Sequence, residues 1–520
     1  MRTVITLLLL GLLAGCTLGE PKVVYITATP DPASISAINT LQPTTAVGSA
    51  TQAPVDANGQ TSIQPPASVT EYVVQSGDTL TGIAVAYNLD LETLLALNQI
   101  ENGDLIAVGQ IIELPPPPDN VTPNIRLLAD AQLVRGQQGA AFDVAAFVAQ
   151  QPGYIRFATD KVNTNRADGL GVEELLSASD VVARVALEFS VDPRLLLALL
   201  EYRAGWLSNP TIAPELQPYP MISEEASGAI KREGLYKQLA WTANELNRGY
   251  YNWKYNGWSL LEFDTGERLL FAPNLNAATV GLQHMLHLAT PYAAWQRDVS
   301  PDGLMVVYQR YFGDPFANDV NPLAGMTTQP ELRLPFQPGE TWFYTGGAHG
   351  GWGGGSAWAA VDFAPPDNRT DVLCYTSAYP ATAVASGSIV RSERGTVILD
   401  LDGDNNETTG WTILYLHIAA EGRIPVGARV EAGAVIGYPA CEGGFSTATH
   451  LHIARRYNGE WLPSQCLACK PEVVIPQFAM SGWGVFVLRN QEYQGFLGNI
   501  NGEQRRAEQG RLSPDNRITW

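Results

Sequence analysis

The chain has 520 residues, and at roughly 150 residues per domain this length calls for about three to four folded units. Thirty-two Lys and Arg stand against 52 Asp and Glu, a formal charge of −20, which excludes a nucleic-acid binder that relies on phosphate neutralisation. Hydrophobic residues make up 45%, with 12 Trp and 20 Tyr, so the chain has ample material for buried cores and is not wholly disordered.

The first predicted element bears on the compartment. Arg2 precedes an apolar run from Val4 to Leu13, too short to span a bilayer. The run ends in Leu13-Ala14-Gly15-Cys16, which resembles a bacterial lipobox. That resemblance implies a lipoprotein signal peptide over residues 1–16, lipidation of Cys16, and an extracytoplasmic protein lipid-anchored to the membrane and associated with the cell wall. Residues 17–70 are dominated by Thr, Ala, Ser, Pro and Gln without a sustained period and read as a flexible tether.

Residues 71–114 read strand, helix, helix, strand, with Asp78 and Asp90 placed as helix N-caps. The run Tyr72-Val-Val-Gln-Ser-Gly77-Asp78-Thr79-Leu80, followed by Ile83-Ala84, Leu97-Asn98 and Val108-Gly109-Gln110, closely resembles a LysM module, a small βααβ fold. The resemblance implies binding of an N-acetylglucosamine-containing glycan, peptidoglycan or chitin, in a shallow groove between the loops Gly77–Leu80 and Gln99–Leu105. The candidate glycan contacts are Gly77, Asp78, Thr79, Leu80 and Ile100.

Pro115 to Pro118 open a stiff spacer over 115–124. Residues 125–330 are then mostly α-helical by period, with runs at Asp180–Phe189, Pro193–Leu200, Leu235–Asn247, Asn276–Leu288 and Leu304–Tyr311. Within them, Val191-Asp192-Pro193 through Glu201-Tyr-Arg203-Ala-Gly205-Trp206 resembles the catalytic helix of soluble lytic transglycosylases, a weakly lysozyme-like feature. In that register Arg203 stands where the family has its acid. Glu201 lies two residues early, about 200° around the helix. A guanidinium cannot serve as a glycosidase acid, so the segment reads as a helical domain without glycosidase activity and without an assigned role. His284 and His287, at i and i+3 with no evident third ligand, read as polar residues on a helix edge or hydrogen-bonded in a core.

Four of the six histidines fall between 349 and 452: His349, His417, His450 and His452. In a strand, His450 and His452 point to one face. His417 ends the strand-like run from Trp411, and Asp362 sits in another, Ala359 to Pro365. Several imidazoles with one carboxylate make a zinc-type donor set. An uncoordinated imidazole beside them can move a proton or stabilise an oxyanion.

Ala381–Val390, Gly410–His417, Val430–Gly437 and Ser446–His452, in order across about 335–460, resemble the lysostaphin and LytM type of zinc metalloendopeptidase, the duplicated hybrid motif, an antiparallel all-β domain. By that resemblance one Zn2+ per chain is bound by Asp362 and His452, while His450 and His417 are catalytic. The family's first His lies four residues before the Asp, where this chain has Trp358. The expected first ligand is therefore His349, reached across Gly350-Gly-Trp-Gly-Gly-Gly355-Ser, whose glycines allow the chain to fold back.

The peptidase β domain is expected over 335–470, with a C-terminal extension over 471–520 that implies no chemistry. Cys374, Cys441, Cys466 and Cys469 suggest two disulfides in an oxidising compartment, with three pairings open. Cys466 and Cys469 also have the spacing of a metal or redox pair. Asp400, Asp402 and Asp404 offer calcium-like spacing but read as an acidic hairpin turn. Together these resemblances imply a cell-wall zinc endopeptidase that hydrolyses peptidoglycan peptide bonds and is recruited by its LysM module. The alternative is a non-catalytic peptidoglycan-binding scaffold or hydrolase activator with a degenerate metal site.

Overall fold

The computed structural model describes residues 71–520 apart from 75–77, 87–90, 101–105, 115–119, 164–172, 368, 370 and 471. Cys16, Gly77, Asp90 and most of the second expected glycan loop lie outside the described residues. Among the described residues no helix is long and apolar enough to cross a membrane.

Strands Glu71–Val73 and Ile111–Glu113 pair antiparallel around helices Leu80–Ala86 and Leu91–Asn98. The side chains of Val74, Leu80, Ile83, Ala84, Leu94, Ile112 and Leu114 close a small core. The Asn98 amide donates to the Glu113 carbonyl at 2.8 Å and accepts the Glu113 N–H at 2.6 Å. A side chain thereby completes the edge of a two-stranded ladder too short to hold itself.

The middle segment is helical, as its period predicts, with helices Ala178–Phe189, Pro193–Ala204, Leu235–Tyr255, Ala277–Ala289 and Leu304–Phe312. Ser177 and Asp192 cap two of them by accepting backbone N–H groups, and Pro193 occupies the first turn of the second. Gly249 and Gly281 let helices Leu235–Tyr255 and Ala277–Ala289 touch: a Cβ on Gly249 would lie 2.8 Å from the Gly281 Cα. Two β-hairpins interrupt the segment, Thr159–Asn163 with Glu173–Ser177 and Leu260–Glu262 with Arg268–Leu270.

The C-terminal part is built on a nine-stranded sheet. Its strand order is Arg429–Val430, Gly387–Glu393, Thr396–Asp400, Trp411–Leu416, Leu451–Tyr457, Ala360–Ala364, Thr341–His349 and Arg517–Thr519, with Glu460–Trp461 paired to Leu451–Tyr457. Its pairs are antiparallel. The extension is thus part of the sheet, since Arg517–Thr519 adds to its edge.

Alternation along these strands feeds two cores. Val361, Val397, Leu399, Ile413, Tyr415 and Ile453 enter a core within the β domain. On the other face, Ala360, Ile398, Leu414, Leu416 and Ala454 join the core of the helical segment. The period of two therefore runs through strands buried on both sides, which is why they read as near-continuous apolar runs.

Ions are buried where helices meet sheet. Glu460 accepts from Lys254 at 2.7 Å and from Tyr250 at 3.0 Å, and also from Tyr255. Glu407 takes Arg135, Arg391 and Arg456 at 3.1 Å each. The cysteines pair as Cys374–Cys441 and Cys466–Cys469, which assigns the latter pair to a disulfide and not to a metal. Removing one member of a buried ion pair leaves an uncompensated charge, so Glu460→Ala is expected to destabilise the chain by about 3–5 kcal/mol in denaturant unfolding. A loss below about 1 kcal/mol, the range of an exposed pair, would contradict this reading of the interface.

Candidate active site

Register brings the predicted residues together. Leu416 pairs with His452, His452 with Asp362, and Asp362 with Gly346, so four neighbouring strands place these residues on one face. It is the face that, further along the same strands, packs on the helical segment. His349 ends its strand opposite Ala360, after two irregularities in pairing. His417 directly follows the strand Trp411–Leu416 with a φ of 67°, a left-handed conformation that is strained for a residue other than glycine and turns the ring out of the strand's alternation.

His349 Nε2 lies 3.0 Å from His452 Nδ1, and Asp362 Oδ1 lies 3.3 Å from each. The remaining ring nitrogens face backbone carbonyls: His349 Nδ1 is 2.7 Å from Gly347 O, and His452 Nε2 is 3.1 Å from Gly351 O. A carbonyl only accepts, so those nitrogens carry the ring protons. His349 Nε2 and His452 Nδ1 are then lone pairs, aimed at each other and at a carboxylate oxygen that is itself buried without a hydrogen-bond partner. Three converging acceptors are satisfied by positive charge among them, a ring proton or a metal ion. Bond lengths of 2.0–2.1 Å around a tetrahedral zinc imply ligand separations of about 3.3–3.4 Å, close to this triangle. The donor set, its spacing and its orienting carbonyls fit a metal ion.

The titration of these groups follows from the attraction between the carboxylate and the imidazoles. Burial pulls His349 down, but the Asp362 carboxylate outweighs it and raises the group. Burial would raise Asp362, but positive charge on His349 and His450 holds it well below the carboxylate range. Burial lowers His452. Burial, then His450 and His452, push His417 well below the ordinary imidazole range.

His417 and His450 stand beside the triangle with ring centroids 4.6 Å apart. His417 Nδ1 faces Glu442 O and His450 Nδ1 faces Ala448 O, both at 2.8 Å, so each presents Nε2 as its free lone pair. His450 Nε2 lies 3.8 Å from Asp362 Oδ1.

The C-terminal extension, expected to carry no chemistry, reaches this site. Half-exposed Tyr493 stacks on His349 with centroids 4.3 Å apart, and its phenol is pushed up to about 12 by burial, Asp362 and Glu492. Glu492 accepts the Gly350 N–H at 3.1 Å. No period or motif in the tail singles out these two residues.

Other candidates separate from the site. Glu201 is buried and accepts the N–H groups of Leu207 and Ser208 at 2.8 and 3.1 Å, while Arg203 donates to the carbonyls of Met221 and Ala289. Neither is placed as an acid. His284 bonds Glu245 at 3.0 Å and His287 faces the His284 carbonyl, the hydrogen-bonded core role. Asp400, Asp402 and Asp404 come together at the hairpin, where Asp400 accepts the N–H groups of Asp402 and Asn405. In the βααβ module, Tyr72 donates to Asp78, and Ile100 is partly buried. Leu80 is fully buried in the core of the module.

The LysM domain family matches residues 72–115, and the family described as the LasA N-terminal domain matches residues 126–324. The helical segment, its transglycosylase-like helix included, is therefore similar to a LasA-type domain. The chain is 24% identical to protease LasA of Pseudomonas aeruginosa over 364 residues, covering 66% of this chain and 77% of the relative. It is 44% identical over 48 residues to the N-acetylmuramoyl-L-alanine amidase XlyB of Bacillus subtilis, 9% of this chain and 15% of that protein. Among solved structures, the M23 metalloprotease pseudoalterin aligns at 21% identity over 35% of this chain and 98% of its own, with a TM-score of 0.27.

A Cβ on Gly346 would lie 2.4 Å from Asp362 Oδ2, so only glycine admits the carboxylate in its place. Gly346→Ala is expected to weaken metal binding by about tenfold or more, read by competition with a chromophoric chelator. Unchanged affinity would show that the carboxylate is not confined by this strand.

Proposed function

We propose that this chain, which carries a LysM domain and is homologous to the LasA-type, lysostaphin-like peptidases, is a zinc metalloendopeptidase that hydrolyses peptide bonds of peptidoglycan. The observation that carries this reading is the convergence of His349 Nε2, His452 Nδ1 and Asp362 Oδ1, three acceptors with fixed tautomers, beside two further imidazoles with free Nε2 atoms.

In this reading His349, Asp362 and His452 hold one Zn2+. When bound, the ion supplies Lewis acidity, lowering the pKa of a water and polarising the scissile carbonyl. His417, kept neutral by burial, accepts the proton of the attacking water through Nε2. His450, across the same cleft, donates to the oxygen on which charge develops when its Nε2 carries a proton. The 3.3 Å approach of His349 to Asp362 across the Gly-rich segment supports the enzyme reading over the scaffold alternative.

The LysM module would recruit the enzyme to N-acetylglucosamine-containing glycan through the loop Gly77–Leu80, with Gly77, Asp78, Thr79, Leu80 and Ile100 as the candidate contacts. A net charge of −20 gives no attraction to an anionic wall, so recruitment falls to this module and to the lipid on Cys16. The protein would then act outside the cytoplasmic membrane, on the wall.

The test is to incubate the lipid-free chain with purified peptidoglycan and read the fragments by mass spectrometry. New peptide termini that vanish with a zinc chelator are expected. His417→Ala should lower kcat by about 10²–10⁴-fold with metal retained. Because His417 stays neutral to lower pH than a free imidazole, the acid limb of kcat/KM should lie below about pH 6.5. Glycan fragments, or none at all from zinc-loaded protein, would refute the assignment. Deleting residues 71–114 should abolish sedimentation with insoluble peptidoglycan while leaving cleavage of soluble stem peptides intact; undiminished sedimentation would remove the LysM module from recruitment.

A further inference from the structure

We propose that the helical segment is a working part of the metal site, with Asn244 as a positioning residue that fixes the Gly350–Ser356 loop and thereby the orientation of His452. The inference rests on the reading that His349, Asp362 and His452 hold a metal.

The link to the site is the Gly351 carbonyl, which faces His452 Nε2 at 3.1 Å and so decides that Nδ1 is the free lone pair. That carbonyl belongs to a loop in which five of seven residues are glycine. Glycine chains have the largest conformational freedom to lose, so this loop does not define its own shape. Its conformation has to be imposed by what it touches.

Most of what it touches is helical. The Gly355 N–H donates to Asn244 Oδ1 at 2.8 Å. A Cβ on Gly355 would lie 1.9 Å from the Asn244 carbonyl, and one on Gly353 would lie 2.8 Å from Asn244 Oδ1 and 3.0 Å from the Phe189 ring. The loop is therefore pressed, backbone to backbone, against the helix Leu235–Tyr255. Gly351 rests on the Trp461 ring, where a Cβ would come within 2.4 Å. Trp461 is in turn held by the helical segment, its backbone N–H donating to the Tyr251 hydroxyl at 3.1 Å and its indole to the Phe189 carbonyl at 3.4 Å. Inside the loop, Ser356 Oγ accepts the Trp352 N–H and donates to the Gly353 carbonyl, each at 3.0 Å.

Asn244 does not swing freely. Its Nδ2 donates to Glu245 Oε1 at 2.9 Å, and the other oxygen of Glu245 is held by Arg248 at 2.9 Å and His284 at 3.0 Å. A chain of polar contacts thus runs from His284 on the neighbouring helix through Glu245 and Asn244 to the loop, and from the loop to His452. This gives the helical segment a role in the site that touches neither substrate nor metal.

The experiment uses the full lipid-free chain and measures zinc affinity by chelator competition, with global stability measured in parallel. Asn244→Ala is expected to weaken zinc binding by about tenfold. Val148→Ala, which trims the same core in the helix Val144–Ala149, should lower stability and leave zinc affinity unchanged. Asn244→Asp keeps an acceptor for the Gly355 N–H but sets a second carboxylate beside Glu245. It should bind zinc more tightly than Asn244→Ala while being no more stable, an order that a merely structural role would not produce. Wild-type affinity in Asn244→Ala, or an equal loss in Val148→Ala, would overturn the inference while leaving the metal site standing. A wild-type chain that takes up no zinc would overturn both.

Discussion

Acceptors aimed at one point in a protein interior need positive charge between them, a proton or a metal ion, and much of the surrounding structure keeps these in place. Two backbone carbonyls, Gly347 and Gly351, commit the outer ring nitrogens of His349 and His452 to carrying protons. The inner nitrogens are then the acceptors whenever the rings are neutral. Had either carbonyl been a donor, the pair would have become an ordinary imidazole–imidazole hydrogen bond. In the proposed metal site, the tautomers count for as much as the identities of the residues.

Holding those carbonyls in place accounts for much of the surrounding architecture. Gly347 takes its position from the sheet edge and the extension, where its N–H donates to the Tyr493 carbonyl at 2.8 Å and the Tyr493 N–H returns to Ala348 at 3.0 Å. Gly351 takes its position from the helical segment and Trp461. The two sides of the site are thus stabilised by two parts of the chain that lie far from each other in sequence. Both parts bury the sheet, one on its edge and one on its face. The buried ions at Glu460 and Glu407 have large desolvation costs, offset by several donors each, and so favour a single docking geometry over a sliding apolar contact.

The parts of this arrangement that were legible in the sequence are those governed by local period. His450 and His452 share a face because strands alternate, and Asp362 sat visibly within an apolar strand run. His349 was reachable on paper because the glycines after it removed any steric objection. What period does not report is what a face packs against. Leu414, Leu416 and Ala454 looked like core, but nothing in them said that their partner is the helical segment. Leu80 was placed in the glycan loop by its position in a motif, while its burial is a three-dimensional fact. Tyr493 and Glu492 come from a tail without pattern, and cysteine spacing alone does not choose among pairings. The transglycosylase-like helix was misleading for a related reason: a capped apolar helix ending in glycine is a frequent local solution, and Glu201 there caps the following turn.

The spacing of thirteen residues between His349 and Asp362 has a physical consequence of its own. A four-residue spacing would bring both donors to the metal from a single short run of strand, with little chain to constrain. A thirteen-residue spacing instead divides them between adjacent strands joined by a loop too rich in glycine to hold itself. Cross-strand register then brings the ligands close, and the loop's entropy has to be offset by contacts from outside the sheet. Asn244, Trp461 and Glu492 are those contacts. In the proposed metal site, the helical segment on the face of the β domain supplies part of what holds this loop.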